Sequence, residues 1–241
     1  MEIGALGRRV PKDWSHVNKF GLRRTLMSTV FHAERVLPLP YHLREFYNQG
    51  QEGACVGFAV SWGMSILNNR MRYDARRLYR EAQMIDEWDD TPPAEGTSVR
   101  AALDVLRNRG HWSVNRRNRI SIDPALEWGI KENRWATLVD EIRTTVEGVN
   151  EHVPTPVFLG VNWYSNFDNP VIHRGEWWIG RTELGRIRGG HAVCIYKVSD
   201  YRQAVGIVNN WGKSYPLVWM PYDTLQRLLS EDGEAGLVTD R

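Results

Sequence analysis

The sequence predicts an α+β chain with a helical first lobe, an antiparallel β-sheet or barrel second lobe, and a site in the cleft between them. Three observations carry this. Apolar residues recur at helical spacing through the first half, and in the second half they gather into short runs bounded by glycine and proline. The connection across Asp200 to Arg202 is too short for a crossover and fits only an antiparallel turn. A chain of 241 residues buries ~70 to 75% of its unfolded surface, enough for one domain of two lobes without covalent staples.

Residues 1–40 read as an irregular leader or strap, with Pro38-Leu39-Pro40 as an extended connection. Whether it is a removable plug, a strap across the fold or an attachment arm stays open. Residues 41–150 form the helical lobe, with helices expected at 54–70, 74–87 and 97–109. Ser98 is placed to cap the third and Arg109-Gly110 to end it. Residues 123–133 suggest a further helical turn or two, and 139–149 an amphipathic helix closing at Gly148. Residues 151–241 form the β lobe, with strands near 156–163, 190–199, 203–209 and 217–220. The pair Asp89-Asp90 before Pro92-Pro93 reads as an exposed loop, and Glu231, Asp232 and Glu234 as a solvated tail.

Lysine and arginine number 31 against 29 aspartate and glutamate, a net charge of +2 that gives little electrostatic reason for nucleic-acid binding. The clusters Arg70-Met71-Arg72, Arg76-Arg77 and Arg116-Arg117-Asn118-Arg119 read as solvated charges paired with nearby acids. Met1 to Arg24 is polar and broken by Pro11, so neither a signal peptide nor a membrane span is expected. The expected location is cytoplasmic, with carriage on a virus particle as the open variant. His152 and His173 flank the aromatic-rich stretch from Trp163 to Trp178 without further ligands at metal spacing, so no metal or cofactor is expected. The aromatic residues of that stretch read as core or cleft wall.

The chemistry gathers at three places. Asn48-Gln49-Gly50-Gln51-Glu52-Gly53-Ala54-Cys55 runs straight into apolar Val56-Gly57-Phe58-Ala59-Val60, which sets one thiol at a helix N-terminus. There, unpaired N–H groups and the positive helix end favour thiolate, and glycines let another backbone approach. Taken alone, a cysteine in an apolar helix is more often a packing residue. Gly189-Gly190-His191-Ala192-Val193 and Val208-Asn209-Asn210-Trp211-Gly212 supply an imidazole and a side-chain acceptor able to fix its tautomer. Cys194, three positions after His191, reads as a buried, reduced residue.

With these residues the chain resembles the papain-like cysteine peptidases, of the compact bacterial or viral kind. The order Cys, His, Asn agrees, and the separations fall near the ~130 to 150 residues usual there. The resemblance spans roughly residues 40 to 230. It implies Cys55 as nucleophile, His191 as base, Asn209 as its orienter, and Gln49 as an oxyanion donor beside the Cys55 N–H. Trp211, in Asn209-Asn210-Trp211-Gly212, stands where the family tryptophan shields the Asn–His bond. Further segments carry it: Arg77-Leu78-Tyr79-Arg80-Glu81-Ala82, Gly96 to Leu103, Thr155 to Val161, and Met220-Pro221-Tyr222-Asp223. For substrate binding it implies Gly53, Gly96, Ala192 and Trp211 along the cleft, Gly96 through its backbone.

Two departures stand out. Glu52-Gly53-Ala54-Cys55-Val56 lacks the preceding cysteine of plant and lysosomal relatives, so their disulfide has no equivalent, and Val56 replaces a tryptophan. Glu52 adds a carboxylate, expected to face solvent or an arginine. The resemblance implies peptide or protein substrates, with oligomeric state open. Three readings stand: a peptidase, a peptidoglycan-directed or virion-associated hydrolase, and a catalytically quiet module on the same fold.

Overall fold

The computed structural model describes residues 4–12, 34–68, 71–89, 94–115, 117–121, 123–148 and 153–240. His152, Asp90, Pro92-Pro93, Arg70, Arg116 and most of the leader lie outside the described residues. In chain order the elements are β1 (Arg35–Val36), α1 (Cys55–Leu67), β2 (Arg72–Tyr73), α2 (Ala75–Gln83), α3 (Val99–Asn108), β3 (Ser113–Val114), β4 (Ile130–Ala136), α4 (Val139–Glu147), β5 (Val157–Tyr164), β6 (Val171–His173), β7 (Glu176–Trp178), β8 (Ile187–Ser199), β9 (Ala204–Val208), β10 (Val218–Pro221), α5 (Tyr222–Ser230) and β11 (Glu234–Asp240).

Helix α1 explains the architecture. Its residues Cys55 to Ile66 are all buried, and a helix without a solvent face must lie between two layers. Phe58, Trp62 and Ile66 join the core of the sheet, with Leu159, Val161, Val193 and Ile195. Val56, Ala59, Val60 and Met64 join a second core with Leu78, Ala82, Ala102 and Leu106 of α2 and α3. The helical caps follow the sequence. Asp74 accepts from the Arg77 N–H at 3.1 Å to start α2, and Ser98 from the Ala101 N–H at 3.1 Å to start α3. Gly148 ends α4 with φ of 74°.

Among the described residues nine strands form one sheet in the order β4-β11-β5-β8-β9-β10-β7-β6, with β1 on β8. Every pairing is antiparallel except β10 with β7, which is parallel.

Three sequence expectations are corrected. Residues 123–133 hold one 3-10 turn, Leu126–Trp128, and then β4 rather than a longer helix. β4 falls within the 41–150 stretch expected to be helical, yet pairs with β11 at the sheet edge. The supposed solvated tail is also structured. Glu234 is 1% exposed and opens β11, and the Glu231 carboxylate accepts from the Tyr164 hydroxyl at 2.6 Å, so of the three acids only Asp232 is exposed.

Candidate active site

Cys55 is the first residue of α1 and faces β8. Helix start and strand are tied by one side chain: Asn210 Nδ2 donates to the Cys55 carbonyl at 3.1 Å and to the Ala192 carbonyl at 2.8 Å. The residue after His191 is therefore fixed against the backbone of the thiol residue. His191 and Asn209 meet across β8 and the end of β9, with His191 Nε2 donating to Asn209 Oδ1 at 2.8 Å. Nδ1 is the ring's other nitrogen, buried and without a hydrogen-bond partner among the described residues. That bond fixes the tautomer with Nδ1 as the basic atom.

Aromatic rings enclose the imidazole. The Trp163 ring centroid lies 4.7 Å away edge-on and that of Trp211 5.0 Å away, with Trp163 and Trp211 also in edge contact at 5.5 Å. All three side chains are buried, so water is kept from the His191–Asn209 bond. Burial pushes the His191 pKa down to about 4, against the hydrogen bond to Asn209, which raises it.

Residues 4–12 run across this site. The Ala5 N–H donates to the Gly50 carbonyl at 3.2 Å, and the Ala5 carbonyl accepts from Gln49 Nε2 at 3.0 Å. The Gly7 carbonyl accepts from the Thr97 N–H at 2.9 Å, the Arg8 N–H donates to Gly190 at 3.0 Å, and the Arg9 N–H donates to Thr97 at 2.8 Å. The segment is thus pinned from the helical side by Gly50, Gln49 and Thr97 and from the sheet side by Gly190. Gly7 passes so close to Gly53 that a Cβ there would stand 1.7 Å from the Gly53 carbonyl oxygen. Arg9 then stacks over Trp88 at 4.0 Å.

Under this cover Cys55 has no exposed surface. Burial pushes its thiol up to about 11, while backbone hydrogen bonds from Ala192, Gly7 and Val56 and the Arg8 charge pull it down. The position at a helix start favours thiolate, but desolvation outweighs it in this arrangement. Thiol and imidazole are therefore each held in the neutral form.

The remaining sequence candidates fall around the same line. Gln49 is buried, and Nε2 also donates to the Glu52 carbonyl at 2.8 Å. Gly53 lies under Gly7, and Trp211 packs on Gly4, where a Cβ would stand 2.2 Å from the indole. At Gly96 the amide donates to the Tyr79 hydroxyl at 3.0 Å, and its neighbour Thr97 makes the backbone pairs with residues 4–12. Glu52 turns away and pairs with Arg76 at 2.7 Å. Cys194 is a free, buried thiol in the sheet core. Three residues do not stand out in the sequence: Asn210 as the tie, Trp163 on the imidazole, and Arg8, whose buried side chain pairs with Glu234 at 3.1 Å. Only Asn210 has a local signal, its place between Asn209 and Trp211.

No family model matches the chain, and no curated protein matches it. Solved structures do: the fold is that of the papain-like cysteine proteases, two-lobed and α+β. Xylellain, a cysteine protease from Xylella fastidiosa, superposes with a TM-score of 0.73 at 15% identity, covering 100% of this chain and 97% of its own. A procathepsin B from Trypanosoma congolense gives 0.66 at 12% identity, over 98% of this chain and 87% of its own. The digestive procathepsin L2 of Tenebrio molitor larval midgut gives 0.60 at 16%, over 99% and 79%.

Proposed function

We propose that the protein is a cysteine-type peptidase working through Cys55, His191 and Asn209, and that residues 4–12 hold it in a covered state. The observation that carries the reading is the oriented imidazole. Its Nε2 is engaged by Asn209 while Nδ1 is unpartnered among the described residues, and Asn210 binds the adjoining strand to the carbonyl of Cys55. In the reaction His191 takes the thiol proton, Cys55 Sγ attacks the peptide carbonyl carbon, and the protonated imidazole gives its proton to the leaving amine. Water activated by His191 then cleaves the thioester and restores the thiol.

Gln49 and the Cys55 N–H are the proposed oxyanion donors, each such donor contributing ~2.7 to 4 kcal/mol of barrier lowering. The contact of Gln49 Nε2 with the Ala5 carbonyl supports this role, since a carbonyl already rests on the donor. Peptides or proteins are the proposed substrates.

Replacing Cys55 by alanine tests the assignment: peptide hydrolysis and labelling by a thiol-directed peptide electrophile are both expected to vanish. Labelling that persisted at Cys194 would overturn it.

A further inference from the structure

Trp163, which stands edge-on against the imidazole, is itself held by a charged pair. Its indole N–H donates to Asp168 Oδ1 at 3.0 Å, and Arg188 Nη1 donates to the same oxygen at 2.8 Å. Asp168 ends the short 3-10 turn Ser165–Asp168 that follows β5, and its side chain is 6% exposed against 29% for Arg188. A carboxylate so buried needs a cation, and Arg188 supplies it.

The strands explain why these side chains meet. β5 and β8 pair residue for residue from Val157 with Ile195 to Trp163 with Gly189, and Tyr164 then pairs with Ile187. Arg188 is the extra residue of a β-bulge, which re-aims its side chain out of the regular alternation. In the same register Val161 lies across from His191, so Trp163, two positions on, is the diagonal neighbour of the imidazole on one face of the sheet. The indole thus reaches His191 with its ring, at 4.7 Å, and Asp168 with its nitrogen. Around this cluster the ionisable groups are Cys55 from α1, Arg8 of the covering segment with its partner Glu234, Arg188 and Asp168 themselves, and Tyr215, which packs on Trp163 and Trp211.

We infer that Asp168 is a positioning residue for His191: it accepts the indole N–H and so clamps Trp163 against the imidazole, where the ring keeps water from the His191–Asn209 bond. The inference rests on the peptidase reading for its effect on turnover, and on these hydrogen bonds alone for its effect on the imidazole. Loss of the acceptor, rather than of the charge, frees the indole. An imidazole that water can reach takes a proton more readily, since desolvation is what holds its neutral form.

Two substitutions in the full-length chain separate acceptor from charge. Asp168→Asn and Asp168→Leu both remove the negative charge and leave Arg188 unbalanced, but only asparagine keeps an oxygen for the indole. In carbon NMR titrations of histidine-labelled protein, with the His191 signal identified by its loss in His191→Gln, Asp168→Leu is expected to raise the proton affinity of His191 at least tenfold. Asp168→Asn should leave it at or below that of the parent. Trp163→Phe breaks the same bond from the other side, should raise the affinity as well, and decides the point where Asp168→Leu fails to fold. Adding Asp168→Leu to Trp163→Phe should change nothing further.

A His191 that titrates in these variants as it does in the parent overturns the proposal. So does an asparagine variant that behaves like the leucine one, or an effect of Asp168→Leu that survives in the Trp163→Phe background. Turnover is read in the Gly7→Ala chain, where a Cβ against the Gly53 carbonyl displaces the covering segment. There Asp168→Leu should lower kcat for peptide hydrolysis at least tenfold with KM within twofold, and Asp168→Asn should recover most of the loss; an unchanged kcat overturns the role in turnover. A Gly7→Ala chain in which iodoacetamide modifies Cys55 but no peptide is cleaved counts against the peptidase reading itself, and the clamp is then decided by the titrations.

Discussion

The side-chain amide of Asn210 donates to the carbonyl of Cys55 at 3.1 Å, across 155 positions of sequence. With its second bond to Ala192 at 2.8 Å, it couples the helix that presents the thiol to the strand that presents the imidazole. Solvent cannot reach either carbonyl to replace it, since Cys55, Ala192 and Asn210 are all fully buried.

Asn210→Ala should therefore cost stability as well as alignment. Losing two buried hydrogen bonds amounts to about 1 to 3 kcal/mol. Urea unfolding is expected to show a lower midpoint at unchanged slope. Peptide hydrolysis should fall further than stability does, because the thiol and the imidazole lose their common anchor. A variant as stable as the parent would mean that the two elements are held together by packing alone.

Acid should weaken the fold through two histidines. Burial lowers His191 to about 4 and His111 to about 3, from an ordinary value of 6.5. His111 accepts the Trp112 N–H on Nδ1 at 2.9 Å, so its Nε2 carries the proton toward Ser61 Oγ, 2.9 Å away. Protonating Nδ1 breaks the Trp112 bond. Below pH 6.5 the unfolded chain takes up protons that the folded chain refuses, so stability present at neutral pH is lost as the pH falls toward 4. Each tenfold difference in proton affinity between the folded and unfolded chain is worth ~1.4 kcal/mol, so each ring should remove about 3 kcal/mol by pH 4, roughly 6 kcal/mol for the two together. Chemical unfolding at pH 7, 5 and 4 measures it, and His111→Gln should abolish roughly half of the loss. A flat profile from pH 7 to 4 would contradict the buried neutral state of both rings.

The parts legible in the sequence are those with local causes. Helix α1 announces itself by an unbroken apolar run after glycines, and α4 by spacing that ends at Gly148. Cys55, His191 and Asn209 stand out because each sits in a distinctive short segment. What is not legible depends on partners far along the chain. β4 reads Ile-Lys-Glu-Asn-Arg-Trp-Ala, with mostly exposed polar residues in its middle. It is an edge strand whose one ladder partner among the described residues is β11, and no periodicity reveals that. Glu234 looks like solvated charge because acids surround it in sequence. Its partner Arg8 lies 226 residues earlier, and a carboxylate so paired belongs in the interior. Arg8, in turn, is lost in a polar leader that reads equally as plug, strap or arm.

Gly7 offers the cleanest way to separate the covering segment from the site beneath it. A Cβ at this residue would lie 1.7 Å from the Gly53 carbonyl oxygen and 2.3 Å from its carbon, both backbone atoms that have little freedom to retreat. Gly7→Ala should therefore expel residues 4–9 while leaving α1 and β8 in place. Hydrogen exchange at the Arg8 and Arg9 amides should accelerate by at least a hundredfold, with protection in β5 and β8 retained. Once Gly7 no longer covers the sulfur, the desolvation that holds the Cys55 thiol at about 11 relaxes, and the helix end and imidazole pull toward thiolate. Iodoacetamide should then modify Cys55 rapidly at pH 7, with the midpoint of its pH–rate profile falling below that of the parent. Cys194 serves as the internal control: buried in the sheet core, it reacts only if the whole fold opens. Modification of both cysteines together would attribute the effect to unfolding. An unchanged Cys55 profile would show that residues 4–9 are not what keeps the thiol neutral.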